Sequence, residues 1–369
     1  MSATLIQGEG LRLRPFRLAD IADITAGCAD PLTQRFLDGL PYPYTEADAR
    51  WWVTEGAPAA FAGGGAAYAV ADPETDRLLG TVGLSNPVAQ RGQAEIGYWV
   101  APWARGRGLA TAATRALAGH AFATGIVRLE LLTSVENVAS QRVALAAGFH
   151  PEGVRRSASA VRGGGRRDLT VWVRLADDPP GPVPRPLPDL PGGRLTDGVV
   201  ALRALGPDDV DAMYRLHTGA EVVASRVPPE PPTRETMEQH CRNAPNQWLV
   251  ARSATMVILD AASGTVAGNC MLLLDQPANQ GMIGYSLFPQ WRGRGLATRT
   301  VRLLVGWGFR HVGLARLWAG TLPENVASQR VLERAGFRRE GLLRGRLPGG
   351  AGVRADSTVF GLLPGDLAG

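Results

Sequence analysis

The sequence predicts an α+β protein in which two similar domains, each with a mixed β-sheet flanked by helices, follow one another along the chain. Three observations support this fold class. The chain has 369 residues, which is more than a single hydrophobic core usually holds. A pair of motifs occurs twice, about one domain length apart. Each half also has the order of strand and helix patterns that is typical of a mixed-sheet fold.

The repeat consists of two motifs that keep their spacing. Residues 96–110 read IGYWVAPWARGRGLA, and residues 283–297 read IGYSLFPQWRGRGLA. The segment ENVASQRV occurs at 136–143 and again at 324–331, each time followed by an Ala-Gly-Phe. The offset is 187 residues at the first motif and 188 at the second. A period of this length corresponds to a whole domain rather than to a solenoid unit.

A proline-rich segment lies between the two copies. Residues 177–193 read DDPPGPVPRPLPDLPGG and contain seven prolines. Proline fixes φ and has no backbone N–H, so this segment is unsuited to a helix or a central strand. We therefore expect domains at 1–176 and 195–369, joined by a semi-rigid linker over 177–194.

The first elements are predicted in the same order in both halves. A strand-like segment at 11–16, with a counterpart at 199–205, precedes a helix that begins with an acidic residue, Asp20 or Asp208. A second helix then begins at a threonine followed by acidic residues, as expected of an N-cap and first turn. These two threonines are Thr45 and Thr233.

Apolar strands separated by turn residues follow, up to EIGYWV in the first half and MIGYSLF in the second. A long helix is predicted to start near Trp103 and near Trp291. A strand, a helix through the shared ASQRV segment and a final pair of strands complete each domain. The pattern assigns no element to WLVAR at 248–252.

The charge distribution limits the classes of partner. All 39 basic residues are arginines, and the chain has 34 acidic residues. The resulting net charge of +5 is divided almost evenly between the two halves. An even distribution argues against a dedicated nucleic-acid surface. The small positive excess still suits an anionic ligand such as a nucleotide phosphate.

Other ligands and locations are also constrained by composition. Cys28, Cys241 and Cys270 form no CxxC motif, and the five histidines form no HxxxH or HxH pair, so we expect neither disulfides nor a metal site. The first residues lack the pattern of a signal peptide, and no apolar run approaches the roughly 20 residues of a membrane span. We expect a cytoplasmic protein with no membrane or nucleic-acid partner.

The first motif ends in an arginine- and glycine-rich loop that follows an apolar strand and opens a helix. Glycines let a ligand approach the backbone closely, and the free amides and dipole of a helix start attract an anion such as a pyrophosphate. The loop consists of Arg105, Gly106, Arg107, Gly108, Leu109 and Ala110, and its counterpart consists of Arg292, Gly293, Arg294, Gly295, Leu296 and Ala297.

In this context both loops resemble the pyrophosphate loop of the Gcn5-related N-acetyltransferase (GNAT) superfamily, which reads Arg/Gln-x-x-Gly-x-Gly/Ala. The downstream Asn-x-x-Ser segment followed by Gly-Phe is similar to the Rim-type branch, which includes enzymes that acetylate the N-termini of ribosomal proteins. The lead-in from Glu95 to Trp99 and the pair Arg167-Asp168 also fit that branch. The resemblance covers nearly all of both halves.

The resemblance implies a seven-stranded mixed sheet that splays between its fourth and fifth strands, with acetyl-CoA as co-substrate in the splay. Residues 96–101 and 283–288 would be the fourth strands, and a backbone N–H there would stabilise the developing oxyanion. The loops would hold the pyrophosphate through their amides. The strand residues expected to contact acetyl-CoA are Tyr98, Trp99, Val100, Ser286 and Leu287.

The second motif supplies further candidates by the same resemblance. Asn137 and Asn325 match the position that contacts the pantetheine arm; Asn137 could equally be a helix N-cap, and the two roles are compatible. Ser140 and Ser328 match the hydroxyl that protonates the departing thiolate. The alternative for these serines is an ordinary hydroxyl on a helix surface.

An amine must lose a proton before or during attack, and Glu95 matches the family's acid for that role. The alternative is a solvent-facing residue at a strand end. The two halves differ here, because the counterpart of Glu95 is Met282, which cannot accept a proton. The sequence selects no substitute among Asp275, Asp260 and Glu324.

The second helix edges the acceptor pocket in this family. It carries Trp51 and Trp52 in the first half and His240 and Cys241 in the second, so the two pockets should differ. At least one of the tryptophans could instead be an ordinary core residue.

The expected function is acetyl transfer to a primary amine by direct attack in a ternary complex, with a protein N-terminus or a small-molecule amine as acceptor. The alternative is an acetyl-CoA-binding sensor or scaffold in which one or both domains are inactive. The tandem arrangement suggests an internal pseudo-dimer in a monomeric chain.

Overall fold

The computed structural model describes residues 4–275, 278–349 and 352–367. The chain divides into two compact units, Met1–Pro184 and Arg185–Gly369, called here the N-terminal and the C-terminal unit. Each unit contains one mixed sheet with helices packed against it, which confirms the predicted α+β class and the tandem organisation. No described helix has both the length and the apolar character needed to cross a membrane.

The N-terminal unit contains eight described strands and six α-helices. The strands are β1 (Ile6–Gly8), β2 (Leu11–Arg14), β3 (Ala66–Ala71), β4 (Leu78–Val88), β5 (Gln93–Val100), β6 (Arg128–Ser134), β7 (His150–Ala160) and β8 (Arg166–Leu175). The helices are α1 (Ile21–Ala29), α2 (Pro31–Phe36), α3 (Glu46–Trp51), α4 (Ala57–Ala62), α5 (Leu109–Ala123) and α6 (Val138–Ala146). A π-helical turn, Trp52–Gly56, joins α3 to α4.

The C-terminal unit repeats this order. Its strands are β9 (Arg194–Thr196), β10 (Val200–Ala204), β11 (Ser253–Asp260), β12 (Val266–Asp275), β13 (Gln280–Leu287), β14 (Arg316–Thr321), β15 (Arg338–Pro348) and β16 (Arg354–Leu362). Its α-helices are α7 (Val210–Thr218), α8 (Ala220–Ala224), α9 (Arg234–Leu249), α10 (Leu296–Trp307) and α11 (Val326–Arg334). The unassigned WLVAR segment begins at the end of α9, which runs through Leu249.

The sheets share one topology. The spatial order of strands in the first sheet is β1-β2-β3-β4-β5-β6-β8-β7. In the second sheet it is β9-β10-β11-β12-β13-β14-β16-β15. All described neighbours are antiparallel except β5 with β6 and β13 with β14. The expected seven strands are therefore corrected to eight described strands per sheet. The additional strands, β1 and β9, span only three residues each, too few to show a period of two in the sequence.

The parallel strands separate soon after they meet. β5 pairs with β6 only at Gln93, Ala94 and Glu95, although both strands continue. In the C-terminal unit β13 pairs with β14 only over 280–282. This is the predicted splay, and it leaves one edge of β5 and of β13 without a strand partner beyond the third residue.

The start of the long helix differs from the prediction in both units. A short 3₁₀ turn occupies the positions near Trp103 and near Trp291, and the helices themselves begin at Leu109 and Leu296. The cause is backbone geometry. The two glycines of each loop adopt positive φ, so the chain cannot continue helically from the tryptophan.

Part of the proline-rich segment packs onto the C-terminal unit. Leu187 and Leu190 are buried in that unit's core, and Trp248 Nε1 donates to the carbonyl oxygen of Pro188 at 3.1 Å. Upstream, the N–H of Val183 donates to Leu145 O at 2.9 Å, within the N-terminal unit. The segment thus contributes to the packing of the units that it joins.

A buried ion pair ties the start of the N-terminal unit together. Arg14 on β2 donates to both carboxylate oxygens of Asp20, at 2.7 and 2.8 Å, and to Asp76 Oδ1 at 2.9 Å. The side chains of Arg14 and Asp20 are only 2% and 5% exposed. The equivalent pair in the C-terminal unit joins Arg203 to Asp209, but there the arginine side chain is 40% exposed.

Replacing Arg14 with methionine should therefore destabilise the N-terminal unit. Removal of one partner leaves a buried charge uncompensated, which costs about 3–5 kcal/mol. Urea unfolding followed by tryptophan fluorescence would measure the loss. The matched control is Arg203→Met, whose carboxylate partner Asp209 is also buried but whose own side chain is 40% exposed, so the loss should be smaller than for Arg14→Met. Equal losses in the two variants would contradict this account.

Candidate active site

The arginine- and glycine-rich loop of each unit is shaped for close approach by a ligand. Gly106 and Gly108 have φ of +76°, and a Cβ built on either would meet no atom within 4 Å. Helix α5 begins directly after Gly108, and no side chain caps it. The counterparts Gly293 and Gly295, before α10, have φ of +72° and +78° and equally open surroundings. The first-turn amides can therefore receive an anion.

The side chain of the first arginine in each loop forms hydrogen bonds within its own unit rather than pointing into solvent. Arg105 Nη2 donates to Asp30 and, at 2.9 Å, to Thr33 Oγ1, while its Nε donates to Val100 O at 3.3 Å. Arg292 contacts Glu221 and donates to Leu287 O at 3.2 Å. These side chains fix the loop to the strand before it and to a neighbouring helix.

The carboxylate that receives Arg105 is held in its charged form. Burial alone would raise the pKa of Asp30, but hydrogen bonds from Arg105 and Thr33 and the arginine's charge outweigh it, so the pKa is lowered. Asp30 also caps helix α2 by accepting from the N–H of Thr33 at 2.9 Å. The second arginine of each loop, Arg107 or Arg294, is exposed.

The backbone of β5 presents alternate residues to the splay. The N–H of Ala101 donates to Leu79 O in β4 at 2.9 Å, and only every second residue of an antiparallel strand faces a given neighbour. Trp99 therefore directs its backbone to β4, whereas Tyr98 and Val100 direct theirs into the gap beside β6.

The same alternation holds in β13. The N–H of Phe288 donates to Ala267 O at 3.0 Å, so Ser286 faces β12. Tyr285 and Leu287 face the gap. Five strand residues were predicted to contact acetyl-CoA. The backbone faces the gap at Tyr98, Val100 and Leu287, and it faces the neighbouring antiparallel strand at Trp99 and Ser286.

A tyrosine–serine pair bridges β5 and α6. Tyr98 Oη lies 2.8 Å from Ser140 Oγ, and Tyr285 Oη lies 2.8 Å from Ser328 Oγ in the C-terminal unit. Burial raises the pKa of both phenols, that of Tyr285 to about 12. Both tyrosines therefore keep their proton near neutral pH. The resemblance implied a proton-donor role for the serines, but no sequence pattern indicated the tyrosines as their partners.

Asn137 and Asn325 lie at the N-caps of α6 and α11. Asn137 Oδ1 accepts from the N–H of Ser140, and Asn325 Oδ1 accepts from the N–H of Ser328, each at 3.1 Å. Both asparagines are therefore helix N-caps, a role that is compatible with the predicted contact to the pantetheine arm. Each cap also fixes the serine that contacts the tyrosine, because cap and serine belong to the same first turn.

Glu95 lies in a cluster of charged side chains where β5 and β6 still pair. Its register partner on β6 is Glu130, and Arg155 approaches both, at 4.0 Å from Glu95 and 2.5 Å from Glu130. Glu130 is almost fully buried and also pairs with Arg128 at 3.0 Å. The Glu95 side chain is 28% exposed and so remains accessible.

The C-terminal unit replaces this charged cluster with apolar residues. The positions of Glu95, Glu130 and Arg155 are occupied by Met282, Trp318 and Leu343, as the strand registers show. The neighbouring ion pair Arg128–Glu152, by contrast, is retained as Arg316–Glu340. The loss of charge at these three positions therefore does not extend to the neighbouring ion pair.

The acids considered as substitutes in the C-terminal unit do not restore such a cluster. Asp275 accepts from Gln280 Nε2 at 2.6 Å, and Asp260 accepts from the N–H and hydroxyl of Ser263 in the turn after β11. Glu324 directly precedes the N-cap Asn325.

An apolar cavity of ≈ 440 Å³ lies against the face of β5 opposite α5 and α6. Gly97 and Ser85 line it, and Ser85 is the cross-strand partner of Glu95, so the carboxylate shares the cavity's side of the sheet. The aromatic residues of the lining are Phe16, Tyr44, Trp51, Trp52, Tyr68 and Trp99, together with Tyr98, whose hydroxyl lies on the other face beside Ser140.

The two tryptophans of the second helix have different surroundings. Trp52 packs against Phe16 with ring centroids 6.2 Å apart and joins the core, whereas Trp51 is 60% exposed. Cys28 also lines the cavity. Its burial raises the pKa of the thiol to about 12, so it is not a thiolate nucleophile at neutral pH.

A second cavity, of ≈ 320 Å³, lies beside β6 and β8. Its polar lining includes Asp38, which accepts from Arg167 at 3.3 Å and from Ser159 at 3.1 Å. Both cavities are lined by Leu37, Gly39 and Leu40. In the described ranges, no group of three or more His, Cys, Asp or Glu side chains is arranged to hold a metal ion.

The sequence profile of the family described as "Acetyltransferase (GNAT) domain" matches residues 10–150 and 200–338. The probable N-acetyltransferase YjcK of Bacillus subtilis is 42% identical over 84 residues, and the uncharacterized N-acetyltransferase p20 of Bacillus licheniformis is 35% identical over 105 residues. These alignments cover 23% and 28% of this chain and about half of each relative's length, 46% and 58%.

Solved structures are similar to parts of the chain. RimJ of Mycobacterium smegmatis, in complex with CoA-disulfide, is 25% identical with a TM-score of 0.41 and covers 48% of this chain and 87% of its own. A GNAT-family acetyltransferase from Bacillus anthracis is 22% identical with a TM-score of 0.41 and covers 46% of this chain and 98% of its own. The family profile matches well over half of the residues, once in each unit. The chain therefore belongs to the GNAT acetyltransferase family.

Proposed function

We propose that the protein is an acetyl-CoA-dependent N-acetyltransferase whose chemistry takes place in the N-terminal unit. One observation carries the proposal. Beside the unpaired edge of β5 lie a carboxylate on the cavity side, Glu95, and a neutral hydroxyl pair on the other side, Tyr98 and Ser140. Amine acetylation by a thioester is assisted by a proton acceptor for the amine and by a proton donor for the departing thiolate, and these groups can fill the two roles.

Binding of acetyl-CoA is supported by the loop and by the splay. The open surroundings of Gly106 and Gly108 and the uncapped start of α5 suit a pyrophosphate. The backbone N–H groups of Tyr98 and Val100 would contact the pantetheine arm and the thioester oxygen. The same features in the C-terminal unit, around Gly293, Gly295 and Tyr285, support a second acetyl-CoA site there.

The proposed reaction is direct attack. Glu95 takes a proton from the amine, the nitrogen forms a bond to the acetyl carbon, and the carbon–sulfur bond breaks. The Tyr98–Ser140 pair supplies a proton to the thiolate that leaves. Burial keeps the pKa of Tyr98 high, so the phenol holds the proton that this step requires. The raised pKa of the Cys28 thiol argues against an acetyl-cysteine intermediate.

The acceptor proposed for the N-terminal unit is a primary amine attached to an apolar group. The cavity on the Glu95 side of the sheet is lined mainly by apolar residues, several of them aromatic, and has the volume of a small organic molecule. A peptide N-terminus with an apolar first residue and a small arylalkyl amine both have this chemistry. The branch that the motifs resemble favours the peptide.

A second candidate function applies to the C-terminal unit alone. Met282, Trp318 and Leu343 remove the charged cluster, while the loop and the Tyr285–Ser328 pair remain. We propose that this unit binds acetyl-CoA but has no carboxylate that acts as Glu95 does in the N-terminal unit.

The domain limits 1–176 and 195–369, with 177–194 as linker, also remain a prediction.

The first test measures release of CoA thiol from acetyl-CoA with a panel of apolar-first peptides, arylalkyl amines, polyamines and free amino acids. With the accepted amine, Glu95→Gln should lower kcat by roughly 100-fold or more, because the proton acceptor is lost. The matched control is Met282→Leu, which should leave the rate unchanged. Full activity of Glu95→Gln would move the chemistry away from this carboxylate.

The second test concerns the proton donor. Tyr98→Phe and Ser140→Ala should each lower kcat by roughly 10- to 100-fold without a matching rise in the KM for acetyl-CoA. If the two hydroxyls act as one unit, the double variant should be no slower than the slower single variant. Tyr285→Phe is the control in the other unit. Additive losses, or a loss confined to KM, would argue against a shared proton path.

A further inference from the structure

Five charged side chains of alternating sign form a row where β5 and β6 still pair, called here the charged row. Arg128 donates to both carboxylate oxygens of Glu152, at 2.8 and 2.9 Å, and to Glu130 Oε1 at 3.0 Å. Arg155 donates to Glu130 Oε2 at 2.5 Å, and its Nη1 lies 4.0 Å from Glu95 Oε1. The row therefore contains two guanidinium groups and three carboxylates, so one negative charge is in excess.

The excess charge lies on Glu95. In the part of the chain that the structure describes, its carboxylate accepts no hydrogen bond, and 4.0 Å from Arg155 is too long for one. Each oxygen of Glu130, by contrast, accepts from an arginine. The side chain of Glu130 is 7% exposed and that of Glu95 is 28% exposed, so a lost cation partner is harder to replace by water at Glu130. Arg155 therefore stays with Glu130.

The C-terminal unit has the same sheet without the inner part of the charged row. Apolar side chains occupy the positions of Glu95, Glu130 and Arg155, whereas the outer pair is kept as Arg316–Glu340. Such a sheet therefore forms without the buried carboxylate and its second arginine. These two residues occur in the unit that carries the candidate base, and both are replaced in the unit that lacks it.

We propose that Glu130 and Arg155 are positioning residues that set how readily Glu95 accepts a proton. Glu130 holds the guanidinium of Arg155 and so prevents a close ion pair between Arg155 and Glu95. The charge of Glu130, the register partner of Glu95, also favours protonation of its neighbour. Arg155 has the opposite effect, because a cation at 4.0 Å favours the ionised form of Glu95. The proposal rests on the proposed role of Glu95 as the proton acceptor.

The other groups near Glu95 contribute little charge. On β4 its register partner is Ser85, and His150 lies at the far end of the same cross-strand row, on β7. Among the residues that line the cavity, the carboxylate of Asp48 accepts from the N–H and hydroxyl of Thr45 in the cap of α3. Burial raises the pKa of the thiol and phenols of the lining, which are neutral near pH 7: Cys28, Tyr44, Tyr68 and Tyr98.

The test follows the titration of Glu95 in the full chain by ¹³C NMR of protein labelled at the glutamate Cδ atoms. Loss of one signal in Glu95→Gln identifies the Glu95 resonance. In Glu130→Gln the freed Arg155 can pair closely with Glu95 and a like charge is removed, so the titration midpoint should fall by about 1 pH unit. In Arg155→Leu the neighbouring cation is removed, so the midpoint should rise by about 1 pH unit.

Three further measurements separate these effects from lost packing. Arg155→Lys keeps the positive charge and should return the midpoint most of the way to that of the parent protein. Glu152→Gln removes the same charge as Glu130→Gln but at the outer end of the row, and should leave the midpoint unchanged. Arg155→Leu should also keep the melting temperature, because Arg155 is 45% exposed and leucine occupies this position in the C-terminal unit. The test therefore remains decisive even if Glu130→Gln does not fold.

An unmoved midpoint in Arg155→Leu would overturn the inference, as would shifts in the same direction in Arg155→Leu and Glu130→Gln. The outcome is distinguishable from failure of the proposed function, because the NMR titration requires no substrate. Opposite shifts would support the inference even if no amine in the panel led to CoA release, a result that would count against the proposed acetyl transfer. Conversely, a Glu95→Gln variant that is inactive, together with unmoved midpoints, would retain the proposed function and remove the role of Glu130 and Arg155.

Discussion

The separation of two parallel strands is the constraint on which the rest of each unit depends. β5 and β6 form a ladder over three residue pairs and then diverge, so the backbone of Tyr98 and Val100 loses a partner that a continuous sheet would provide. Unpaired backbone groups next to a protein core are costly unless something else satisfies them. The gap is therefore a place for a ligand that can hydrogen-bond like a strand, and the neighbouring features are arranged around it. The loop glycines lie at one end, the Tyr98–Ser140 pair on one face, and Glu95 with the apolar cavity on the other.

Comparison of the two units separates what supports the scaffold from what is specific to one copy. The loop glycines, the asparagine caps, the tyrosine–serine pairs and the Arg128–Glu152 type of ion pair occur in both. The Glu95–Glu130–Arg155 cluster and the tryptophans of the cavity occur in the first alone. Features near the splay and the loop are thus retained together, whereas the side of the sheet that carries Glu95 and the cavity has diverged. This pattern suits two units with one shared co-substrate and different second ligands.

The sequence predicted those parts of the site that depend on local order along the chain. The loops, the asparagine caps and the position of Glu95 lie within short motifs, and repetition made the motifs visible. The partners of these residues were harder to predict. Glu130 and Arg155 meet Glu95 only through the register of three strands, and no local pattern indicates such a register. Tyr98 belongs to the repeated motif, but its contact with Ser140 spans 42 positions. The long helix was predicted to start too early for a local reason. Glycine adopts positive and negative φ with similar ease, so the residue type alone does not show that the loop glycines have positive φ.

The anchoring of Arg105 and Arg292 has a consequence for how quickly and how tightly a nucleotide could bind. Each arginine ties its glycine-rich loop to a strand end and to a helix through side-chain hydrogen bonds. A loop with two glycines would otherwise sample many backbone conformations, and a ligand would have to select one of them. Here the arginine restricts the loop during folding, so little conformational entropy is left to be lost on association. Pre-organisation of this kind favours affinity without any added contact to the ligand.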